Sequence, residues 1–210
     1  MPFEAVAGAF EPGEIRIADR AYMQPERIAT ILAAGGDVVV RAGWRNAAWL
    51  GARGEPVDLI AVLCDNAEHG LIDRPIWVCR RGDAPPLPLR LVAVKKAPQA
   101  AEAARRKARR EAQKGGHQIS QATLVAADWV ILVTSLPPEA FATADILALY
   151  RLRWRIELAF KRLKSLVGLK GPPGTDAPSA RSYVLAHLLM LLLLEPLIGA
   201  LENSPRSAAA

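Results

Sequence analysis

Four polar residues of one predicted helix have types and spacings that suit chemistry on phosphodiesters. At 100° per residue, the α-helical step, they share one edge of that helix, within an arc of about 60°. The set is Tyr150, Arg153, Glu157 and Lys164. Glu157 can provide an oxygen ligand for a divalent metal ion, and Arg153 and Lys164 can hold phosphates on either side of it. The Tyr150 hydroxyl can donate a hydrogen bond to a phosphate. This edge therefore predicts a site for a metal ion and a DNA backbone.

The sequence around Glu157 is strongly basic. Residues 151–170 contain seven Lys or Arg and one acid, a net charge of +6, which equals the formal charge of the whole chain. Residues 100–114 form a second basic segment with six Lys or Arg and two acids, a net charge of +4. A carboxylate among cations is often only part of a solvated ion-pair network, so that alternative stays open for Glu157. For residues 100–114, a solvated helix is the alternative to a second DNA contact.

A two-metal site needs more than one carboxylate, and Asp19 is the candidate for the second. It follows residues 14–18, whose alternation of apolar and polar side chains predicts a β-strand. In open α/β sheets, ligands bind at the carboxyl ends of the strands. Asp19 and Glu157 are thus the predicted metal ligands, provided that the fold brings them together.

The neighbouring elements predict a strand–helix–strand unit. Residues 25–34 have helical periodicity between Pro25 and the pair Gly35-Gly36, which match the usual residues at helix ends. Residues 37–41 are a continuous β-branched run, typical of a buried strand. Two strands joined through a helix in about thirty residues favour a parallel pair.

The rest of the chain is a mixture of short predicted strands and longer helices. Residues 42–94 contain β-like runs at 57–64, 76–79 and 89–94, separated by Gly, Pro and Asp, which indicates a β-rich insertion. Residues 129–134 predict a buried strand, and the remaining predicted helices are 100–114, 144–167 and 179–194. The apolar stretch 183–201 is nearly long enough for a membrane span, but it contains His187, Glu195 and Pro196. We therefore expect a buried helix of a globular core and no membrane.

Composition narrows the class of protein. The 210 residues are 51% hydrophobic and 23% charged, which excludes a disordered or fibrous chain. Two cysteines cannot make a disulfide framework, and the first residues do not resemble a leader peptide, so we expect the reducing cytoplasm. The charge of +6 and the isoelectric point near 9.7 favour a polyanionic partner.

The spacing Tyr150-x2-Arg153-x3-Glu157-x6-Lys164 resembles the signature of insertion-sequence transposases with a DDE catalytic triad, the subgroup named for insertion sequence 4. The stretch LYRLRWRIELAFKRLKSLVGL is similar to that family's helix, and PGEIRIADRAY is similar to its second catalytic segment. Residues 37–41 and 133–137 resemble two further strands of the family. The resemblance runs from residue 12 to residue 194.

This resemblance implies an α/β fold, with a partial RNase H-like (ribonuclease H) core, a β-rich insertion and C-terminal helices. The implied domains are residues 1–41, with the Asp19 strand, and residues 129–200, with the Glu157 helix, as the two parts of the core. Residues 42–128 are then the insertion with its basic helix, and residues 201–210 a disordered tail.

The implied activity is metal-dependent cleavage and transfer of DNA strands in transposition. Two Mg²⁺ ions would be held by Asp19, Glu157 and a third acid. Arg20, Tyr150, Arg153 and Lys164 would bind phosphates of double-stranded DNA, either transposon ends or target DNA. The resemblance leaves open a transposase dimer, and it implies a bacterial cytoplasmic protein associated with the nucleoid.

The family's first catalytic aspartate lies several dozen residues before the second, and here only eighteen residues precede Asp19. Their acids follow no predicted first strand: Glu4, Glu11 and Glu14. Acids of the insertion could substitute only if its topology put one beside the metals: Asp65, Asp73 and Asp83. Because Mg²⁺ tolerates an incomplete octahedral shell poorly, we expect weak metal binding and little or no catalysis by this chain alone.

Three functional hypotheses follow. The first is a transposase that is inactive in truncated form unless the missing part is supplied by an upstream reading frame. The second is a non-catalytic DNA-binding or inhibitory fragment that uses the same basic helix. The third is the product of a decaying gene without a selected role.

Overall fold

The computed structural model describes residues 12–165 and 176–202. The chain divides into two compact units, residues 1–151 and residues 152–210, which are considered in turn. The first unit is built on a six-stranded sheet, and the second contains helical segments.

The first unit begins with a strand–helix–strand arrangement. Strand β1 (Ile15–Ala18) leads through a short 3₁₀ turn (Arg20–Tyr22) to helix α1 (Pro25–Ala33) and strand β2 (Asp37–Arg41). Ile15 pairs with Asp37 and Ala18 with Val40, in parallel register. The predicted parallel pair is confirmed. The helix ends where Gly35 adopts a positive φ of 79°, a conformation that glycine reaches without strain.

The next elements of the chain are four strands, which complete the sheet, and three helices. They are strand β3 (Trp49–Leu50), helix α2 (Leu59–Asp65), strands β4 (Leu71–Val78) and β5 (Leu87–Lys95), helices α3 (Pro98–Lys114) and α4 (Gln121–Ala127), and strand β6 (Trp129–Thr134). The strand order is β1-β2-β6-β5-β4-β3, and every pairing except that of β1 with β2 is antiparallel. Strands from residues 42–94 therefore continue the sheet that carries β1, β2 and β6. The domain boundaries stay predictions.

Strands β2, β5 and β6 carry buried side chains on both faces of the sheet, since successive side chains of a strand point to opposite faces. Val38 and Val40 of β2 belong to one apolar cluster with Ile28 of α1 and Leu63 of α2. Val39, between them in sequence, belongs to a second cluster, whose other buried members are Val92, Leu132, Leu136, Ile146 and Tyr150. Helices thus supply apolar partners to both faces of β2.

One predicted strand is a helix in the structure. Residues 57–64 were expected to be β-like, but Leu59–Asp65 form α2. Asp58 caps this helix, since its Oδ1 accepts hydrogen bonds from the backbone N–H groups of Ile60 at 2.9 Å and Ala61 at 3.3 Å. Leu59 and Leu63, four residues apart, are both buried. The β-strand prediction was wrong here because an N-cap and helical spacing outweigh β-branched composition.

Helix α5 (Thr143–Ser165) starts in the first unit and continues into the second. The second unit also contains helix α6 (Ala177–Glu202). The expected burial of α6 is wrong for its described leucines, since Leu189, Leu192 and Leu193 are 59, 65 and 68% exposed. Leucines lie on all sides of α6, so a single buried stripe cannot cover them.

Within the described residues, 177–194 are the one stretch of helix whose length and apolar composition would suffice to cross a membrane. That finding rests on length and composition alone and is weak evidence for a membrane span.

Candidate functional site

Asp19 stands directly after β1, as the sequence predicts. Its backbone is extended, and its Oδ1 accepts a hydrogen bond of 2.6 Å from the backbone N–H of Arg20, so that Asp19 caps the 3₁₀ turn. The parallel pairing of β1 with β2 holds this strand end in the sheet. Asp19 is half-buried as a residue, and its carboxylate has access to solvent.

A cavity of about 400 Å³ borders Asp19. Its lining includes Arg20 beside Asp19, Arg41 and Trp44 from the end of β2 onwards, and residues of α3 and α4. Helix α3 thus contributes to the same cavity as the predicted metal ligand. Sequence reasoning missed this relation, because α3 is nearly ninety residues away from Asp19 in the chain.

Gly43 allows the backbone after β2 to pass close to Arg20. Gly43 is buried, and a Cβ atom there would lie 3.2 Å from Cδ of Arg20 and would overlap Oδ1 of Asn46. Asn46 in turn donates a hydrogen bond of 3.5 Å to the backbone oxygen of Arg20. The absence of a side chain at Gly43 therefore leaves room for Arg20 at the edge of the cavity.

Lys96 lies in the same cavity, just after β5. Its Nζ donates a hydrogen bond to the backbone oxygen of Ala127 at the end of α4. Burial lowers the pKa of Lys96 to about 8, and repulsion from Arg41 and Arg20 acts in the same direction, while Asp128 opposes the shift. Lys96 therefore stands in a positive electrostatic potential.

Tyr150 is 9% exposed and belongs to the apolar cluster around Val39 and Leu132. The helical projection of the sequence places Tyr150 on the polar edge. In the structure, Ile146 and Tyr150 of α5 are buried, whereas Leu152 is 43% exposed. The reason is that residues four apart on a helix share a face, and Ile146 fixes which face meets the sheet. The phosphate contact of Tyr150 stays a prediction.

Arg153 and Glu157 form an ion pair on α5. Nη1 of Arg153 lies 2.8 Å from Oε1 of Glu157, with side-chain exposures of 16% and 53%. These two residues are thus neighbours along one edge of the helix, as predicted. The Glu157 carboxylate is accessible, although one of its oxygens accepts from Arg153. Lys164 belongs to α5 by its backbone, and its side chain lies outside the part described.

Carboxylate oxygens are the donors that Mg²⁺ prefers, so the chemistry of Asp19 and Glu157 suits this ion. Among residues 12–165 and 176–202, no group of three or more His, Cys, Asp or Glu side chains could hold a metal ion. The described residues therefore provide single carboxylates of the right type but no complete site. The pairing of Asp19 with Glu157 stays a prediction.

Sequence reasoning missed a polar cluster that connects the sheet to α5. Arg90 of β5 donates two hydrogen bonds to Asp73 of β4 and a third, of 2.7 Å, to the backbone oxygen of Phe141. The Thr143 hydroxyl at the start of α5 also donates to Asp73. From sequence, Asp73 is a substitute catalytic acid only if the topology puts it beside the metals. The structure instead commits its carboxylate to Arg90 and Thr143.

Comparison with known proteins places these features in a family. The model of the family described as "Transposase DDE domain" matches residues 3–193. A putative transposase InsL for insertion sequence element IS186A of Escherichia coli K12 is 35% identical over 204 residues, covering 94% of this chain and 55% of the relative. The transposase for insertion sequence element IS421 of Escherichia coli is also 35% identical, with 94% of this chain and 54% of the relative covered. The chain spans about half the length of these curated relatives.

Proposed function

Because the chain belongs to the DDE transposase family of insertion sequences, whose catalytic domain is RNase H-like, we propose that it provides a large part of the catalytic domain for DNA transposition. The observation that carries this proposal is the match over residues 3–193, together with Asp19 at the end of strand β1 and Glu157 on an accessible edge of α5. The substrate is double-stranded DNA, at a transposon end or at a target.

Asp19 and Glu157 are the proposed metal ligands. Bound Mg²⁺ would stabilise negative charge on the reacting phosphate and favour deprotonation of the attacking water or 3′-hydroxyl. Asp19 has the backbone support that a positioned ligand needs, since β1 pairs with β2 and the 3₁₀ turn follows directly. Glu157 supplies one carboxylate oxygen, while Arg153 orients the other.

Arg153, Lys164 and Arg20 are the proposed phosphate-binding cations, with Tyr150 as an additional donor. Arg153 has two functions in this proposal: its guanidinium holds Glu157 in position through the ion pair, and its positive charge attracts a phosphate of the DNA. A guanidinium suits this double task better than a lysine, whose charge is a single point.

Complete strand cleavage and transfer requires, in this proposal, a third acid from the portion of the relatives' length that this chain does not match. The support is chemical: single carboxylates bind Mg²⁺ weakly, and the described residues form no cluster of three acids. The proposal also includes a transposase dimer, and it places the protein on DNA in the bacterial cytoplasm.

The second candidate function is a non-catalytic DNA-binding or inhibitory fragment. The Arg153–Glu157 ion pair favours it, since such a pair needs no metal to be satisfied. The two candidates differ in strand cleavage. With DNA that contains this coding sequence and its genomic flanks, and with the unmatched portion of a relative supplied in trans, a catalytic chain introduces Mg²⁺-dependent nicks that Glu157→Gln abolishes. An inhibitory fragment binds the same DNA and leaves it intact.

Fe²⁺-mediated cleavage of the protein tests the central geometry directly. Fe²⁺ in the presence of ascorbate replaces Mg²⁺ and cuts the polypeptide next to the bound ion. If Asp19 and Glu157 share an ion, cuts occur near both residues, and either Asp19→Asn or Glu157→Gln removes both cuts. If each variant removes only the cut at its own position, the two acids do not share a metal site.

A further inference from the structure

The cavity beside Asp19 has the charge of an anion-binding site. We call it the cationic cavity, and its charged lining residues are Asp19, Arg20, Arg41, Lys96, Lys107 and Glu111. Four of these side chains are basic and two are acidic, so the cavity wall carries an excess of two positive charges. Its volume of about 400 Å³ lies within the range of small-ligand pockets.

The basic side chains converge on this cavity from separate elements. Arg41 is the last residue of β2, Lys96 follows β5, and Lys107 is in the middle of α3. Within the described part of the chain, the buried Nε atom of Arg41 has no hydrogen-bond partner. Lys107 has only Glu111 as a carboxylate neighbour there, at 3.8 Å between two side chains that are 78% and 67% exposed. Such an exposed pair contributes little, so Lys107 remains able to engage a ligand.

Helix α3 is fixed in the position that forms the cavity wall. Arg105 donates hydrogen bonds of 2.6 and 2.7 Å to both carboxylate oxygens of Asp128, at the end of α4, and further bonds to Glu102. Ala101 and Ala112 of α3 are buried. The remaining cavity-lining positions of α3 include Ala104 and Ala108, whose small side chains leave the space open. The wall is therefore built before a ligand arrives.

Cations of like charge at short range repel one another, and an anion between them relieves that repulsion. Burial is the main cause of the lowered pKa of Lys96, and repulsion from Arg41 and Arg20 acts in the same direction. A phosphate group suits the arrangement, because guanidinium groups bind phosphate oxygens through paired N–H donors.

Resting on the proposed function, we propose that the cationic cavity binds a phosphodiester group of DNA through Arg41 and Lys107, next to Asp19. Helix α3 then forms one wall of the DNA-binding site. Lys107 binds a phosphate in the cavity, so the basic residues of α3 do not contribute equally to DNA binding. The phosphate belongs to the strand that enters the site at Asp19.

The test is binding of a fluorescein-labelled 20-base-pair duplex to the full chain, measured by fluorescence anisotropy in EDTA over a series of NaCl concentrations. Each lost phosphate contact lowers the magnitude of the slope of log K against log[NaCl] by about 0.9. We expect that decrease for Arg41→Gln and for Lys107→Gln. The matched control is Lys114→Gln, the same charge change on the same helix at a residue that does not line the cavity, and its slope stays at the wild-type value. Thermal unfolding of each variant confirms that the fold is intact.

A wild-type slope in both cavity variants, with folding intact, overturns the cavity proposal and leaves the proposed function standing. An equal decrease in all three variants also overturns it, because the charge of α3 then acts as a whole. If Arg41→Gln does not fold, the comparison of the salt slopes of Lys107→Gln and Lys114→Gln is sufficient to test the cavity proposal. If the wild-type chain binds no duplex even at low salt, both the cavity proposal and the DNA partner of the proposed function are wrong.

Discussion

The guanidinium of Arg90 binds the carboxylate of Asp73 through two parallel hydrogen bonds, Nε to Oδ1 at 2.7 Å and Nη2 to Oδ2 at 2.5 Å. The pairing is diagonal across two antiparallel strands, since Arg90 lies opposite Pro75 and Asp73 opposite Val92. Through Phe141 and Thr143 the same pair reaches the start of α5. The sheet thereby determines where the Glu157 helix begins.

Asp73→Asn will lower the free energy of unfolding by about 2–4 kcal/mol, because it leaves the nearly buried guanidinium of Arg90 without its charged partner. Urea denaturation followed by circular dichroism measures this change. Glu111→Gln is the control: it breaks the exposed Lys107–Glu111 pair and is expected to change the free energy of unfolding by less than about 1 kcal/mol. Equal effects of the two substitutions would contradict a special role for the Arg90–Asp73 pair.

The stabilisation by Asp73 will depend on pH. Its hydrogen bond from Arg90 holds the pKa of the Asp73 carboxyl below its ordinary value. A carboxyl group whose pKa is lowered by folding stabilises the fold above its unfolded pKa, near pH 4, and loses that contribution as the pH falls through the folded pKa. The difference in unfolding free energy between wild type and Asp73→Asn should therefore be constant near neutral pH and shrink below about pH 4. A difference that grows with acidification would contradict the assigned direction.

Lys96 will titrate near pH 8 in a ¹³C NMR experiment on its Cε atom. Because burial lowers this pKa in the folded state, the unfolded chain binds more protons between pH 8 and 10.5, and the contribution of Lys96 to stability rises over that range. Arg41→Gln removes a repelling charge and should raise the pKa of Lys96, whereas Lys114→Gln should leave it unchanged. An unchanged midpoint in Arg41→Gln would show that Arg41 does not contribute to the shift.

Replacing both Arg153 and Lys164 by Ala will weaken binding to duplex DNA and lower the magnitude of the salt slope by about two, about one for each phosphate contact. The control is the double replacement of Arg151 and Arg155, two exposed arginines of the same helix, which should reduce the slope less. The anisotropy assay with a labelled duplex provides both slopes. If the two double variants lose the same amount, the edge defined by Arg153 has no specific role in DNA binding.

Local patterns in the sequence determined several elements correctly. The β-branched run at residues 129–134 predicted β6 with the bounds that the structure has, Trp129–Thr134. Pro25 and Gly35 marked the ends of α1 within a residue or two, and the parallel pairing of β1 with β2 followed from their connection through a helix. These features depend on neighbours in sequence, through backbone propensity and side-chain periodicity. Family membership also followed from fixed spacing within one helix.

Other properties depended on contacts between distant segments. Residues 59–65 became a helix despite their β-branched composition, because Asp58 caps them and Leu63 is buried against the core. The side of α5 that meets the sheet was decided by Ile146 and Tyr150, so the polar edge drawn from sequence alone included a core residue.

The cationic cavity is the clearest case of a feature that only the tertiary structure decided. Its residues Arg41, Lys96 and Lys107 lie on separate elements, and each is unremarkable in its own stretch of sequence. They converge because β2, β6 and β5 are neighbours in the sheet, and because Arg105 ties α3 to Asp128 just before β6. The charge and the hydrophobic periodicity of a segment depend on its own sequence, and they predicted the basic helices of this protein. Convergence is a property of strand order and helix packing, and only these bring cations of other elements into the cavity beside Asp19.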